Sequence, residues 1–294
     1  MLLDDLEKLA EKYYFKGSKT IAPILPNLFV IRKEQISVFE AIVYNPVICL
    51  ILRGSKEIFI GAQSVSVAQG DALLVSHDLP VSSKITQASP GAPYLALILS
   101  LDLNIIRSLY GMVGEAVSEA TDARSLSTSA AQSVWAEPLG RYLALMDNPL
   151  EAQVLGPLVL KEIHFRLLQS PIGGMLRNLL SVDSHASRVA KAIANIRSNF
   201  REPLVVAELA DIAGMSPSSF HEHFKSTTGT SPLQYQKDLR MIEARTLLLS
   251  GRRSISATGF EVGYESPTHF SRDYTRKFGY SPKNEAAAEN KHVS

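Results

Sequence analysis

The chain predicts an α+β protein in two parts: an N-terminal antiparallel β-barrel or sandwich with accompanying helices, then an all-α C-terminal domain containing two helix-turn-helix units. Three patterns carry this reading. Short apolar runs recur through the first hundred residues, separated by turn residues. Apolar positions at helical spacing follow them. Between Ser216 and Pro282 one short phrase is written twice, fifty residues apart.

The expected strands are Ser37 to Tyr44, Val47 to Leu52, Glu57 to Ile60, Ser64 to Val67, Ala72 to Val75, Val81 to Thr86 and Tyr94 to Leu101. Each is rich in β-branched or apolar residues, and Asn45-Pro46, Gly54-Ser55, Gly61, Gln69-Gly70-Asp71 and Pro90-Gly91 punctuate them. Small barrels of this kind can receive a small molecule, for which Phe39, Tyr44, Phe59 and Tyr94 are the candidate lining residues; the competing reading is ordinary core aromatics. Cys49 is the single cysteine, so no internal disulfide forms, and its apolar run makes it a buried small hydrophobe rather than a redox sensor.

Helical spacing predicts helices over Leu103 to Gly114, Trp135 to Met146 and Glu151 to Leu168. In the last, Val154, Leu155, Leu158 and Phe165 recur on one side. That helix is long enough to form a two-helix contact in a homodimer, or it packs against its own barrel. Gly173-Gly174 reads as a helix break, Ser181 to Ser187 as a hinge and Val189 to Phe200 as the first helix of the next domain.

The repeated phrase is Ser216-Pro217-x-x-Phe220-x3-Phe224-x4-Gly229-x-Ser231-Pro232, then Ser266-Pro267-x-x-Phe270-x3-Tyr274-x4-Gly279-x-Ser281-Pro282. Serine is a good N-cap, and proline at the first helical position gives up no needed N–H. Gly229 and Gly279 can take the left-handed conformation that ends a helix. Phe220 and Phe224, like Phe270, Tyr274 and Phe278, lie four apart and share one inward face. Ahead of each copy runs a short apolar segment ending near glycine, Val206 to Met215 and Ile255 to Tyr264. The pair predicts two helix-turn-helix units, at about 206–227 and 254–277, each offering its second helix to a major groove.

Gly263-Tyr264-Glu265-Ser266-Pro267-Thr268-His269-Phe270-Ser271-Arg272 and Lys277-Phe278-Gly279-Tyr280-Ser281-Pro282 carry a resemblance to the DNA-binding domain of AraC/XylS-type transcription regulators, spanning about residues 187–284. The resemblance implies a seven-helix domain whose two units are joined by a long helix, here about Pro232 to Ser250. It also implies double-stranded DNA as the partner, with RNA polymerase as a further one. Gly70 to Pro80 is similar to the second half of a cupin motif. With Tyr94-Leu95-Ala96-Leu97 it resembles the N-terminal domain of one branch of the same regulators, over about residues 20–180. In the family this domain senses an effector or mediates dimerisation. Cupin enzymes hold a metal with several His and a Glu; here His77 stands alone, with Glu57 as a distant acidic candidate, so it reads as a hydrogen-bonded turn residue. No metal or other cofactor is expected.

About 100° per residue, with the aromatics inward, places Thr268, His269, Arg272, Thr275 and Arg276 outward on the second recognition helix, with Ser271 at the margin. Arg272 is central and can grip guanine O6 and N7; Arg276 and Lys277, further along, suit phosphates. On the first recognition helix Ser218, Ser219, Glu222, Lys225 and Ser226 face outward, and Glu222 stands where Arg272 stands in the second. A carboxylate there is repelled by phosphates and can only accept from cytosine N4, and family members more often carry a basic or neutral polar residue. The first helix is therefore expected to position the protein through Lys225 and His221, and the second to specify. The competing reading pairs Glu222 with Lys225 along a solvated face. Gly259 is a second departure, since the family generally has a small helix-former such as Ala, and glycine within a helix costs about 0.5–1 kcal/mol.

Composition bounds the rest. The 294 residues are 46% hydrophobic with a formal charge of +1, enough for two cores. From Asp183 onward fifteen Lys+Arg face twelve Asp+Glu, +3, leaving −2 for the preceding residues. That asymmetry gives moderate, salt-sensitive attraction to nucleic acid. The acidic start at Asp4, Asp5 and Glu7 is unlike a signal peptide, and no apolar run approaches the ~20 residues of a membrane span, so a cytoplasmic location is expected. No nucleophile motif, paired-carboxylate arrangement or phosphate-binding glycine loop points to catalysis. The rival to a transcription regulator is a metal-free cupin-like enzyme or ligand carrier with an auxiliary nucleic-acid-binding domain.

Overall fold

A computed structural model describes residues 3–14, 25–113, 124–181, 184–251 and 253–289. The chain divides into two compact units, residues 1–40 with 44–187, and residues 188–294 with 41–43.

The described strands are β1 (Leu28–Lys33), β2 (Glu40–Tyr44), β3 (Val47–Arg53), β4 (Ser55–Ile60), β5 (Gln63–Ala68), β6 (Asp71–Val75), β7 (Leu79–Gln87), β8 (Tyr94–Ser100) and β9 (Leu126–Ala130), all in the first unit except the middle of β2, residues 41–43. They form one sheet in the order β1-β8-β3-β6-β9 and another in the order β2-β7-β4-β5. Pairing is antiparallel, as in Cys49 opposite both Leu73 and Ile98, and Ile58 opposite both Val65 and Ser83. Five helices accompany them among the described residues: α1 (Leu3–Tyr13), α2 (Leu103–Val113), α3 (Ser133–Ala144), α4 (Pro149–Gln169) and α5 (Gly174–Leu180).

Strand composition follows from this layering. Ile48, Leu50 and Leu52 of β3 join Leu95, Leu97 and Leu99 of β8 in a core shared with Trp135, Leu139 and Tyr142 of α3. Cys49, between them in sequence, points the other way and meets Lys56 of β4. A strand covered on both faces must be apolar throughout, and β3 is buried from Val47 to Leu52. In β4 burial alternates, with Lys56, Ile58 and Ile60 inward and Ser55, Glu57 and Phe59 toward the outside.

All seven expected strands form. Two more, β1 and β9, and helix α1 were not anticipated. Helix α1 carries Leu6, Ala10 and Tyr13 into the same core, and Arg53 binds Glu7 and Glu11 on its polar side. Strand β9, Leu-Ser-Thr-Ser-Ala, has little apolar pattern to signal it; it forms by pairing along β6, Val75 opposite Leu126. The expected site aromatics separate. Tyr94 is buried and Tyr44 half-buried, both near Lys56. Phe39 and Phe59 do not line an interior: they lie against each other, centroids 4.8 Å apart, beneath the Lys84 ammonium, which also pairs with Glu57 at 2.9 Å. The alternation of β4 fixes this, because Phe59 shares its face with Glu57.

His77 is a hydrogen-bonded turn residue. Its Nδ1 lies 2.7 Å from Ser76 Oγ and its Nε2 3.3 Å from Ala186 O.

Helix α6 (His185–Ser198) begins in the last residues of the first unit and continues into the second, which contains α7 (Val206–Ala213), α8 (Pro217–Thr228), α9 (Pro232–Leu249), α10 (Ile255–Glu261), α11 (Pro267–Phe278) and α12 (Pro282–Glu289) among the described residues. Helix α6 starts four residues before the expected Val189, because Ser184 Oγ accepts the Ser187 N–H at 3.0 Å and caps it. His185 to Ser187, expected in the hinge, are helical.

Burial pushes His77 down to about 4, against 6.5 for a free histidine. The unfolded chain therefore takes up the proton first as pH falls. The stabilisation is complete above about pH 6.5 and is lost toward pH 4, on the order of 3 kcal/mol. Thermal melting between pH 7 and 4.5 is expected to show a steep fall for the wild type and a shallower one for His77→Gln, the remainder coming from buried His164, which burial also lowers. Parallel profiles would count against this assignment.

Candidate nucleic-acid interface

Two helix-turn-helix units, α7–α8 and α10–α11, are assembled by the local rules their sequence writes. Ser216 Oγ accepts the Ser219 N–H at 3.3 Å and Ser266 Oγ the His269 N–H at 3.4 Å. Gly229 and Gly279 end the two helices in the left-handed region, at φ 73° and 82°. Phe220 and Phe224 are fully buried, as are Phe270 and Tyr274. Tyr264, Phe270 and Tyr274 form a run of rings with centroids 5.6 and 5.7 Å apart.

Polar contacts fix the frame around these aromatics. Arg240 of α9 donates to four carbonyls: Phe200 O at 2.7 Å, Arg201 O at 3.0 Å, Glu202 O at 2.9 Å and Gly263 O at 2.9 Å. It thus ties the chain after α6 to the turn of the second unit. At Gly263, φ is +89° and a Cβ would sit 2.1 Å from Arg201 O, so only glycine fits. Glu285 of α12 accepts from Tyr274 and from Arg245 of α9, each at 3.1 Å. Asp273, buried between Phe270 and Tyr274 in sequence, accepts from the Tyr264 hydroxyl at 3.0 Å; burial and this carboxylate hold the Tyr264 phenol above its usual range. None of Arg240, Asp273 or Glu285 was anticipated from sequence. Asp273 had a signal, since it lies three residues after Phe270 on the same side.

On α11, Thr268, His269, Arg272 and Arg276 are exposed and Ser271 half-buried. Thr275 is also exposed, its hydroxyl donating to Ser271 O at 2.8 Å. Among the described residues no carboxylate pairs with Arg272. Arg276 reaches Asp273 at 2.9 Å but keeps a 62% exposed side chain. Lys277 corrects the sequence reading: its ammonium is 2.8 Å from Asp238 of α9, with both side chains largely buried, so it holds the domain together instead of meeting phosphate. It lies seven residues, two turns, after Phe270 and therefore on the inward side.

On α8, Ser218, His221, Glu222 and Lys225 are exposed. Glu222 and Lys225 form no ion pair with each other among the described residues. The two recognition helices thus present opposite charge at equivalent places, a free carboxylate on α8 and a free guanidinium on α11. Gly259 has a packing reason: a Cβ there would lie 3.0 Å from Phe270 Cγ and 3.2 Å from its Cβ and Cδ1.

A family model described as the AraC-type transcriptional regulator N-terminus matches residues 24–175, and a helix-turn-helix domain model matches residues 209–287. The transcriptional activator RhaS of Escherichia fergusonii is 30% identical over 144 residues, 49% of this chain and 51% of that protein. YobQ of Bacillus subtilis, an uncharacterized helix-turn-helix regulator, is 31% identical over 108 residues, 37% of this chain and 43% of that protein. The chain thus spans about half the length, or less, of these curated relatives. Apo ToxT from Vibrio cholerae superposes with a TM-score of 0.54 at 13% identity, covering 88% of this chain and 97% of that one, a likeness of fold alone.

Lys277→Ala is expected to lower stability by about 1–3 kcal/mol, since it leaves Asp238 short of its cation. Arg272→Ala is expected to leave melting unchanged within about 0.5 kcal/mol; equal losses for both would refute this division of labour. Gly259→Ala gains helix propensity but presses on a ring held between Tyr264 and Tyr274. A net loss of about 1 kcal/mol in chemical denaturation is expected, and a gain would show that Phe270 can yield.

Proposed function

The chain belongs to the AraC-type transcriptional regulators, and from that premise we propose that it binds DNA sequence-specifically, α11 reading bases, α8 setting position on the backbone and the first unit receiving a small effector. The observation that carries this is the unpaired Arg272 at the centre of the exposed face of a capped helix. A guanidinium held there, with no carboxylate to satisfy it, suits the O6 and N7 acceptors of guanine, a contact worth about 1–3 kcal/mol of discrimination. Thr268 and His269 flank it, and Arg276, mostly exposed, suits a phosphate.

The protein acts as a homodimer in this reading, joined through α4. Leu150, Val154 and Leu158 stand four apart on that helix and are exposed, Leu155 beside them. Two copies present two DNA-binding units and raise affinity by effective concentration. No helix among the described residues is long and apolar enough to cross a membrane, which accords with work at the chromosome in the cytoplasm. RNA polymerase is the further partner such a regulator addresses, and no catalytic step is assigned to the first unit.

Selecting bound sequences from random DNA with the full chain tests the proposal. A motif with a fixed guanine that disappears for Arg272→Ala is expected, and selection of no common motif would overturn it. Glu222→Arg is expected to tighten binding and to steepen the slope of log affinity against log salt by about one; an unchanged slope in a salt titration would remove α8 from the backbone contact. Val154→Glu combined with Leu158→Glu is expected to sediment as a monomer and to bind an operator at least about tenfold more weakly. A dimer that persists would place the interface elsewhere.

A further inference from the structure

Lys56 is a buried cation of the first unit that no carboxylate meets among the described residues. It sits on the inward face of β4 and is 7% exposed, so its ammonium is removed from water. Its Nζ lies 3.4 Å from the Tyr44 hydroxyl and 3.5 Å from Cys49 Sγ, and the Tyr94 phenol is near enough to interact with it electrostatically. Among the described residues no carboxylate reaches it; the nearby Glu57 points to the other side of β4 and is taken by Lys84. Buried charges are ordinarily paired, because desolvating a lone ammonium costs far more than two weak neutral contacts return.

Tyr44 lies on β2, an edge strand of its sheet, and Tyr94 begins β8 of the facing sheet. The group is thus assembled from β2, β3, β4 and β8; Ile58, two residues after Lys56 on the same face of β4, and Ala96, two after Tyr94 on β8, are both buried.

We propose that Lys56, with the hydroxyls of Tyr44 and Tyr94, binds the carboxylate of a small organic monoanion whose apolar body lies between the sheets. One ammonium neutralises one negative charge, and the two phenolic O–H groups can donate to the oxygen lone pairs that the ammonium leaves open. A phosphate dianion would bring a second, uncompensated charge into the same interior. This assignment rests on the proposal that the first unit receives an effector, and it names the chemistry of that effector.

The test uses the full chain and a panel of straight-chain monocarboxylates from butanoate to decanoate, each beside the alcohol of equal length, with inorganic phosphate as a third arm. Calorimetric titration of the wild type is expected to show at least one carboxylate binding about tenfold or more tightly than its alcohol, and no saturable uptake of phosphate. Lys56→Met, in which a chain of similar volume replaces the buried cation, is expected to fold and to lose the preference for carboxylate. Tyr44→Phe keeps the cation, removes one donor, and is expected to weaken the carboxylate several-fold while leaving the alcohol unchanged.

Equal binding of acid and alcohol, phosphate binding as tight as carboxylate, or a preference that survives in Lys56→Met would each overturn the assignment. Operator binding measured on the same samples separates the two readings. Carboxylate uptake with unchanged operator affinity upholds the site and counts against effector control. Intact operator binding with no carboxylate uptake sinks the site and leaves the DNA-binding reading standing.

Discussion

What the DNA-binding unit depends on is the burial of one side of each recognition helix. Phe270 and Tyr274 are removed from water, and a helix turning about 100° per residue then has no freedom over what its other side shows. Arg272 is outward because Phe270 is inward. Arg240 closes the frame from the far side, its guanidinium shared among four carbonyls that come from the end of α6 and the turn before α11. Apolar packing sets the rotation of the helix, while the carbonyl clamp sets where its turn lies.

The same construction serves both helix-turn-helix units, which makes their difference informative. Caps, aromatic spacing and stop signals agree between α8 and α11, but Glu222 and Arg272 carry opposite charge at equivalent positions. Scaffold has been kept and surface changed. The two surfaces differ in chemistry accordingly: one helix carries a group that phosphates repel, the other a group that base edges can satisfy.

Much of this was legible in the sequence wherever the governing physics is local. Serine caps, glycine stops and four-residue aromatic spacing are written within single turns, and the structure places them as read. The alternation of β4 was equally legible, and applying it would have put Phe59 beside outward Glu57 and excluded it, with Phe39, from an interior. Lys277 is the same kind of miss, for helical geometry sets it two turns below Phe270 and so against α9. Asp238, its partner, is 39 positions away and could not be found by any local rule. Strand β9 was hidden for a comparable reason, since Leu126–Ala130 owes its conformation to pairing with β6 more than to its own composition. The counterpart in the first unit is Lys56, whose burial only the facing sheets reveal.

The claim that Arg272 reads a guanine can be tested atom by atom. In the selected operator each guanine is replaced in turn by 7-deazaguanine, which lacks the N7 acceptor, and affinities are measured for the wild type and for Arg272→Ala. The account predicts one position at which the replacement costs the wild type about tenfold, near 1.4 kcal/mol, and costs the variant nothing. Losses that are the same for both proteins at every position would contradict it.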